Sequence, residues 1–182
     1  VSLLEQKGYD PLAYRFFCLQ SHYRRNLVFN WENLDNAAAA YDKLIAKIAS
    51  LKDEGAVEQE AFDALKARFV SALDADLNTS LAITAVYDVL KAKCSDATKL
   101  AALQDFDRVL GLNLISAADT LRRKQAAEEA ANADPEIDAL VAARTAAKKA
   151  KNFAEADRIR DQLKAMGVEI IDTPQGAKWR KV

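Results

Sequence analysis

Apolar residues recur at intervals of three or four along most of the chain, and this spacing is typical of amphipathic helices. It predicts a first helix over residues 11–24, which Asp10 caps and Pro11 opens. A second helix is predicted from Asn30 to about Leu51, because an Asn at that position caps a helix well. Three more are predicted at about residues 62–73, 81–90 and 97–110. The chain is therefore expected to be mainly α, with an antiparallel helical bundle in its first part.

The pattern changes after the fifth predicted helix, which Gly111 is expected to end. Residues 116–135 are predicted to be a linker or helix extension, because the apolar positions stop after Leu121. The charged run that begins at Arg122 is expected to be solvated. Asp134 followed by Pro135 is a typical helix start, so we place the domain boundary there.

Residues 136–182 predict a small α/β unit of two helices and a β-hairpin. The second helix is expected to begin at Asn152, with Glu155 completing a capping box, and to end at Gly167. Residues 168–171 alternate as a strand does, and residues 178–180 are expected to return antiparallel. Between them, Thr173-Pro174-Gln175-Gly176 is typical of a type I turn.

Composition and charge restrict the possible functions. The chain has 26 basic and 27 acidic residues, so it is not a uniformly basic nucleic-acid binder. The charge is nevertheless uneven, since residues 136–182 carry 10 basic and 7 acidic side chains. With Cys18, Cys94 and His22 as its Cys and His residues, the chain is expected to have neither a disulfide framework nor a zinc site. This composition favours a reducing, cytoplasmic location, and no apolar run is long enough to predict a membrane span.

Several charged and aromatic residues of 136–182 share helix faces. One face carries Phe153, Asp157, Arg160 and Lys164, and an apolar stripe on the preceding helix continues into Arg144, Lys148 and Lys151. From the residues alone, Asp157 pairs with Arg160 on a solvated helix, and Asp172 starts a turn. Trp179 is on the same grounds a core anchor rather than a binding residue.

Short segments along the whole chain resemble bacterial cysteinyl-tRNA synthetases, in the same order. They are Gly8-Tyr9-Asp10, Arg15-Phe16-Phe17, His22-Tyr23-Arg24, Glu32-Asn33-Leu34, Asp76-Leu77-Asn78-Thr79 and Val109-Leu110-Gly111-Leu112. A terminal block adds Arg144, Ala156-Asp157, Arg160-Asp161, Leu163, Gly167, Asp172-Thr173, Gly176 and Trp179. The resemblance implies a C-terminal fragment of such a ligase, beginning just after its Lys-Met-Ser-Lys-Ser loop.

The resemblance also implies a division of the chain. Residues 1–30 would end the stem-contact region and hold the first bundle helix, 31–115 would form the anticodon-binding bundle, and 136–182 would read the anticodon. The parent enzyme would attach cysteine to its tRNA with ATP, and it would use zinc to select the thiol. This chain has neither nucleotide-binding motif of that enzyme, so it is expected to be inactive alone and to hold no cofactor.

The same resemblance implies particular RNA contacts. Asp157 and Asp172 would accept hydrogen bonds from base edges, and Lys148 would lie near the first anticodon base. The other anticodon-binding candidates are Phe153, Arg160 and Trp179. The candidates for tRNA backbone contacts are Arg24, Arg25, Arg144 and Lys151. The family often has Arg and Trp where this chain has Lys148 and Phe153. A bidentate hydrogen-bonded contact of an Arg guanidinium would then be replaced by the single charge of the Lys148 ammonium.

Two other functions remain open at this point. Residues 148–166 also resemble the helical hairpin by which bacterial excision-repair proteins bind one another, in which case Phe153 would contact a protein. A ligase that joins cysteine to an amino sugar is a third possibility, but it has no anticodon to read. The favoured interpretation predicts a monomer that binds the tRNA for cysteine, and neither DNA nor membranes.

Overall fold

The computed structural model describes residues 2–131, 134–150, 152–173 and 176–181, with the backbone alone for 129–131, 135, 171–173, 176–178 and 180–181. The helices are α1 (Ser2–Gln6), α2 (Pro11–Leu19), α3 (Trp31–Ala49), α4 (Gln59–Asp74), α5 (Thr79–Lys91), α6 (Asp96–Leu110), α7 (Leu114–Ala131), α8 (Pro135–Lys149) and α9 (Phe153–Ala165). The strands are β1 (Val168–Thr173) and β2 (Gly176–Lys181). The predicted mainly α fold class is confirmed.

The chain forms two compact units, Val1–Arg123 and Lys124–Val182, which we call the bundle and the C-terminal unit. In the bundle, α4 packs against α5 and α6, and α2 packs against α3. Phe16 and Phe106 are fully buried there, and the ring of Phe106 stacks on Phe69 with 4.1 Å between ring centroids. The apolar faces predicted from the helical spacing thus meet in one core.

Local residues set most of the helix ends, as their sequence signals predict. The Asn30 side chain accepts a hydrogen bond from the backbone N–H of Asn33 at the start of α3. Ser95 and Asn78 cap α6 and α5 in the same way. At the end of α6, Gly111 has a φ of +60°, which a glycine adopts without steric strain.

The end of α2 differs from the prediction, because the helix stops at Leu19 rather than near Arg24. The residues that follow form a turn, in which the hydroxyl of Tyr23 donates to Asp76 across 53 positions of sequence. The carbonyl of Ser21 accepts a bond from the Thr79 hydroxyl at 3.3 Å. Since these partners lie far away in the sequence, local helical spacing could not predict them.

Arg122 is also placed differently from its predicted solvated position. Its guanidinium is partly buried and donates to the backbone carbonyls at the end of α3, namely those of Ile48, Ala49 and Leu51. Carbonyls at the C-terminal end of a helix lack the N–H partners of the helix interior, and a cation there also complements the helix dipole. The first part of α7 is thereby fastened to the bundle.

The C-terminal unit contains the end of α7, followed by α8, α9 and the antiparallel β1–β2 hairpin, and the last three elements are those predicted for residues 136–182. Asp134 and Asn152 cap α8 and α9 as predicted. Its core consists of Ile137, Val141, Ile159, Leu163 and Val168. In the hairpin Ile170 pairs with Trp179, and Thr173 pairs with Gly176. The predicted type I turn involves residues 174–175, which lie outside the described residues.

Candidate nucleic-acid interface

The candidate residues of α9 lie on one exposed face of that helix. Phe153 is the first helical residue and is 63% exposed, which is unusual for an aromatic ring on a small domain. One turn further on, Asp157 and Arg160 are both exposed, with 3.7 Å between Oδ1 of Asp157 and Nη1 of Arg160. The structure therefore brings a ring, a carboxylate and a guanidinium onto one solvent-facing strip.

The basic residues of α8 differ in exposure. Lys148 is exposed in the last turn, whereas Arg144, one turn earlier, is buried with 5% of its surface exposed. Arg144 comes three residues after the core residue Val141, so helical geometry places its stem beside the core. The sequence places the two cations on one stripe but could not show that Lys148 is exposed and Arg144 buried.

A groove of about 700 Å³ runs between α9 and β1 in the same unit. Its lining includes Arg144, Arg160 and Lys164, together with the turn and strand residues 167–170. Lys164 and Glu169 were not among the candidate site residues. Lys164 could have been chosen, because it lies one turn beyond Arg160 on the same helix face. Glu169 comes to the groove only through the turn at Gly167.

The side chain of Trp179 packs within the C-terminal unit rather than facing solvent as a binding residue would. Its side chain is partly buried against the small core, and its Nε1–H donates to Oδ1 of Asp138 at 2.6 Å. The indole thus joins β2 to α8. The backbone of Asp172 pairs with Ala177, but the Asp172 side chain and the whole of Lys151 lie outside the described residues. The RNA contacts expected of these residues stay predictions.

The two arginines predicted for the bundle differ in their surroundings. Nε of Arg24 lies 2.7 Å from Oδ2 of Asp76, so its guanidinium is ion-paired. Arg25 is exposed, and its backbone N–H bonds to the carbonyl of His22. Nδ1 of His22 accepts from the backbone N–H of Arg24, and this local bond gives His22 a structural role.

Over the described parts of the chain, no helix is long and apolar enough to cross a membrane. Nor do three His, Cys, Asp or Glu side chains converge as metal ligands anywhere in residues 2–131, 134–150, 152–173 and 176–181.

Comparison with known proteins gives a consistent result. Residues 131–180 match the family described as the cysteinyl-tRNA ligase anticodon binding domain. A cysteine–tRNA ligase of Novosphingobium aromaticivorans is 41% identical over 99% of this chain. The corresponding ligases of Symbiobacterium thermophilum and Halorhodospira halophila are 38% and 39% identical over 96% and 92% of it. Over nearly its whole length the chain is therefore similar to part of the cysteine–tRNA ligases.

The chain spans 37–40% of the length of these three ligases. The resemblance drawn from the short sequence segments is thus confirmed. The matched residues 131–180 include α8, α9 and nearly all of the hairpin, and so contain the exposed strip of α9. The comparisons do not support the alternative of an excision-repair hairpin.

Proposed function

We propose that this chain is the tRNA-recognition portion of a cysteine–tRNA ligase. In this proposal the C-terminal unit reads the anticodon, and the bundle adds contacts to the tRNA backbone. The observation that carries the proposal is the match of residues 131–180 to an anticodon binding domain, on a unit whose α9 exposes Phe153, Asp157 and Arg160 together.

The chemistry of these side chains suits unstacked loop bases. A carboxylate such as Asp157 accepts hydrogen bonds from base amino groups, an exposed ring such as Phe153 can stack on a base face, and cations neutralise phosphates. The Asp157–Arg160 pair is exposed and loose, so exchanging it for RNA contacts costs little, because such surface pairs contribute about 0–1 kcal/mol. We assign Asp172 and Lys148 to the same surface by resemblance to the family, and Trp179 to the packing of β2 on α8.

The activity of the whole protein is part of the proposal. It would attach cysteine to its tRNA with ATP, using a zinc-containing catalytic region in the part of the relatives that this chain does not span. The described residues offer no cluster suited to zinc, so no step is assigned to that metal here. We expect the chain alone to be a cytoplasmic monomer that does not aminoacylate tRNA.

A binding measurement with matched variants tests the anticodon assignment. The probe is a fluorescent anticodon stem-loop of the tRNA for cysteine, compared with the same hairpin after a change of its first anticodon base. Asp157→Asn and Arg160→Ala are compared with Glu155→Gln and Arg158→Ala, because Arg158 and Glu155 form an equivalent pair at 3.5 Å on a different face of α9.

We expect the native hairpin to bind more tightly than the altered one. Loss of a base contact costs about 1–3 kcal/mol, so Asp157→Asn should reduce that preference by roughly fivefold or more. The variants at Glu155 and Arg158 should retain it. Equal binding of both hairpins by the unmodified chain, or equal losses from the two pairs of variants, would contradict the assignment.

A further inference from the structure

Two short motifs that mark the family resemblance, residues 22–24 and 76–79, meet in the bundle. The Asp76 carboxylate accepts from the Tyr23 hydroxyl at 2.7 Å, and it is ion-paired with Arg24 at 2.7 Å. Nε2 of His22 lies 3.8 Å from the same carboxylate. Thr79 adds a hydroxyl bond to the carbonyl of Ser21. Residues 21–25 are therefore fastened to the turn between α4 and α5.

The backbone at this turn is unusual. Asp76 and Leu77 have φ values of +59° and +52°, in the left-handed region that favours glycine. An Asp tolerates that region, and the left-handed backbone closes the end of α4, where the N–H of Leu77 donates to the Leu73 carbonyl at 2.8 Å and that of Asn78 donates to the Ala72 carbonyl at 3.1 Å. Leu77 itself is 62% exposed. The same turn brings the Asp76 carboxylate to Tyr23 and Arg24, so the end of α4 carries the group that holds residues 21–25.

The network leaves the two neighbouring arginines with different tasks. The Arg24 guanidinium is engaged by Asp76 and lies over the Tyr23 ring, 5.4 Å from its centroid. Within the described residues Arg25 has no carboxylate at salt-bridge distance, and it is exposed. Tyr23 beside it is 60% exposed. The fastened loop thus presents a cation and a ring edge to solvent, a combination that suits a phosphate and its ribose.

We propose that Asp76 is a positioning residue for RNA binding: with Arg24 it holds residues 21–25 so that Arg25 contacts the phosphate backbone of the tRNA outside the anticodon loop. This inference rests on the proposed tRNA-binding function and deepens it. It also gives the two arginines different roles: Arg24 holds the loop and Arg25 contacts the phosphate, whereas the family resemblance alone implies a backbone contact for both.

The sign of one charge change provides the test. Asp76→Asn keeps the side-chain shape and suits a positive φ, yet it removes a negative charge from a surface that meets a polyanion. General electrostatics predicts tighter RNA binding for this variant. Positioning predicts the reverse, a loss of roughly three- to tenfold, because the amide oxygen can still accept from Tyr23 but the ion pair with Arg24, which helps to hold the loop that presents Arg25, is lost. Asp105→Asn is the matched control, since Asp105 in α6 pairs with Lys66 at 3.0 Å and with Arg108 at 3.7 Å.

The measurement uses the whole chain with an intact tRNA transcript and, separately, the anticodon stem-loop, over a series of salt concentrations. Arg25→Ala should lower the salt dependence for the transcript by about one released counterion and leave the stem-loop unaffected. Arg24→Ala should weaken transcript binding in the original chain but little further in the Asp76→Asn background, because both changes release the same loop. Arg24→Ala does not alter the turn at residues 75–78. The effect of this variant in the original chain therefore tests the inference even if Asp76→Asn disturbs the folding of that turn.

Tighter or unchanged transcript binding by Asp76→Asn would overturn the inference, as would equal losses from Asp76→Asn and Asp105→Asn. Equal affinity of the original chain for transcript and stem-loop would also overturn it, yet a retained anticodon preference would leave the proposed function standing. Absence of any RNA binding would overturn both.

Discussion

The interior of the bundle contains aromatic rings as well as aliphatic side chains, whereas the core described for the C-terminal unit is aliphatic. Phe16, Phe69 and Phe106 fill the centre of the bundle. In the C-terminal unit the side chains of Ile137 and Leu163 do so, with Trp179 partly buried at the edge. A small unit buries a smaller share of its surface than a large one, so its stability margin is lower.

The two units also differ in their long-range tethers. In the bundle Nε of Arg15 donates to the Leu110 carbonyl at 2.6 Å, and the buried Tyr41 hydroxyl donates to the Leu112 carbonyl at 2.7 Å. Burial also raises the pKa of that tyrosine. In the C-terminal unit the Trp179–Asp138 bond makes a comparable link. Because its core is smaller, we infer that the C-terminal unit has the lower free energy of unfolding.

The largest effect is expected from Phe106→Ala in the bundle. Removing a fully buried ring that stacks on Phe69 should lower the free energy of unfolding by about 3–5 kcal/mol. The measurement is urea unfolding followed by the fluorescence of Trp31 in a Trp179→Phe background, because Trp31 lies in this unit and Trp179 in the other. Val109→Ala, at a 57% exposed position of the same helix, should change it by less than about 0.5 kcal/mol. Similar losses from both variants would contradict the assigned core.

Leu163→Ala tests whether the two units unfold separately. Leu163 is fully buried in the small core, and its truncation should cost about 2–5 kcal/mol, which is a large part of a small unit's stability. Amide hydrogen exchange should then show lost protection in α8 and α9, with protection retained in α3 and α6. Met166→Ala, at a 42% exposed position, is the control. A parallel loss of protection in the bundle would show one cooperative unit instead.

The sequence predicted the elements whose signals are local. Asn30, Asn152 and the Asp134–Pro135 pair mark helix starts correctly, because a cap bonds to a backbone N–H two or three residues away. Gly111 marks a helix end correctly for the same reason. Each of these signals needs only its own neighbours, so a single sequence contains all the information.

Features that depend on distant partners were not predictable in this way. Asp76 bonds to the turn that follows α2, and Arg122 donates to carbonyls at the end of α3 from more than 70 positions away. The sequence placed Arg144 on a helix stripe but could not predict its burial, because burial depends on which other elements pack over that stripe. At the site, the sequence correctly predicted the shared face of Phe153 and Asp157, but the groove needs the path of β1.

A smaller effect is expected from Trp179→Phe, which removes the bond to Asp138 while keeping an aromatic ring. Because Asp138 is exposed and can be solvated, the loss should be about 0.5–1.5 kcal/mol and confined to the C-terminal unit. Thermal unfolding of this variant and of Asp138→Ala, with the double variant, should show non-additive losses. Anticodon preference should be unchanged, and a tenfold loss of it would instead assign Trp179 to base stacking.

The smallest effect is a pH dependence in the bundle. Asp96 accepts from the backbone N–H of Lys52 at 3.1 Å and from Nζ of Lys99 at 2.9 Å, and these bonds hold the pKa of its carboxyl below the usual 3.8. A group with a lowered folded pKa stabilises the protein above its unfolded pKa, and this contribution is lost as the pH falls through the folded pKa. The pair is partly exposed, so the contribution should be within about 1 kcal/mol.

In a Trp179→Phe background, where Trp31 reports on the bundle, Asp96→Asn should therefore lower the unfolding temperature at pH 6. The difference from the same chain with Asp96 should shrink between pH 5 and pH 3. The lost stability would come from one contact, because the Asp96 carboxylate joins the loop after α3, at Lys52, to the first turn of α6. Asp63→Asn is a suitable control, since Asp63 accepts a single bond from Gln59 within α4. A difference that stays constant down to pH 3 would mean that the Asp96 side chain stabilises the bundle by its shape rather than by its charge.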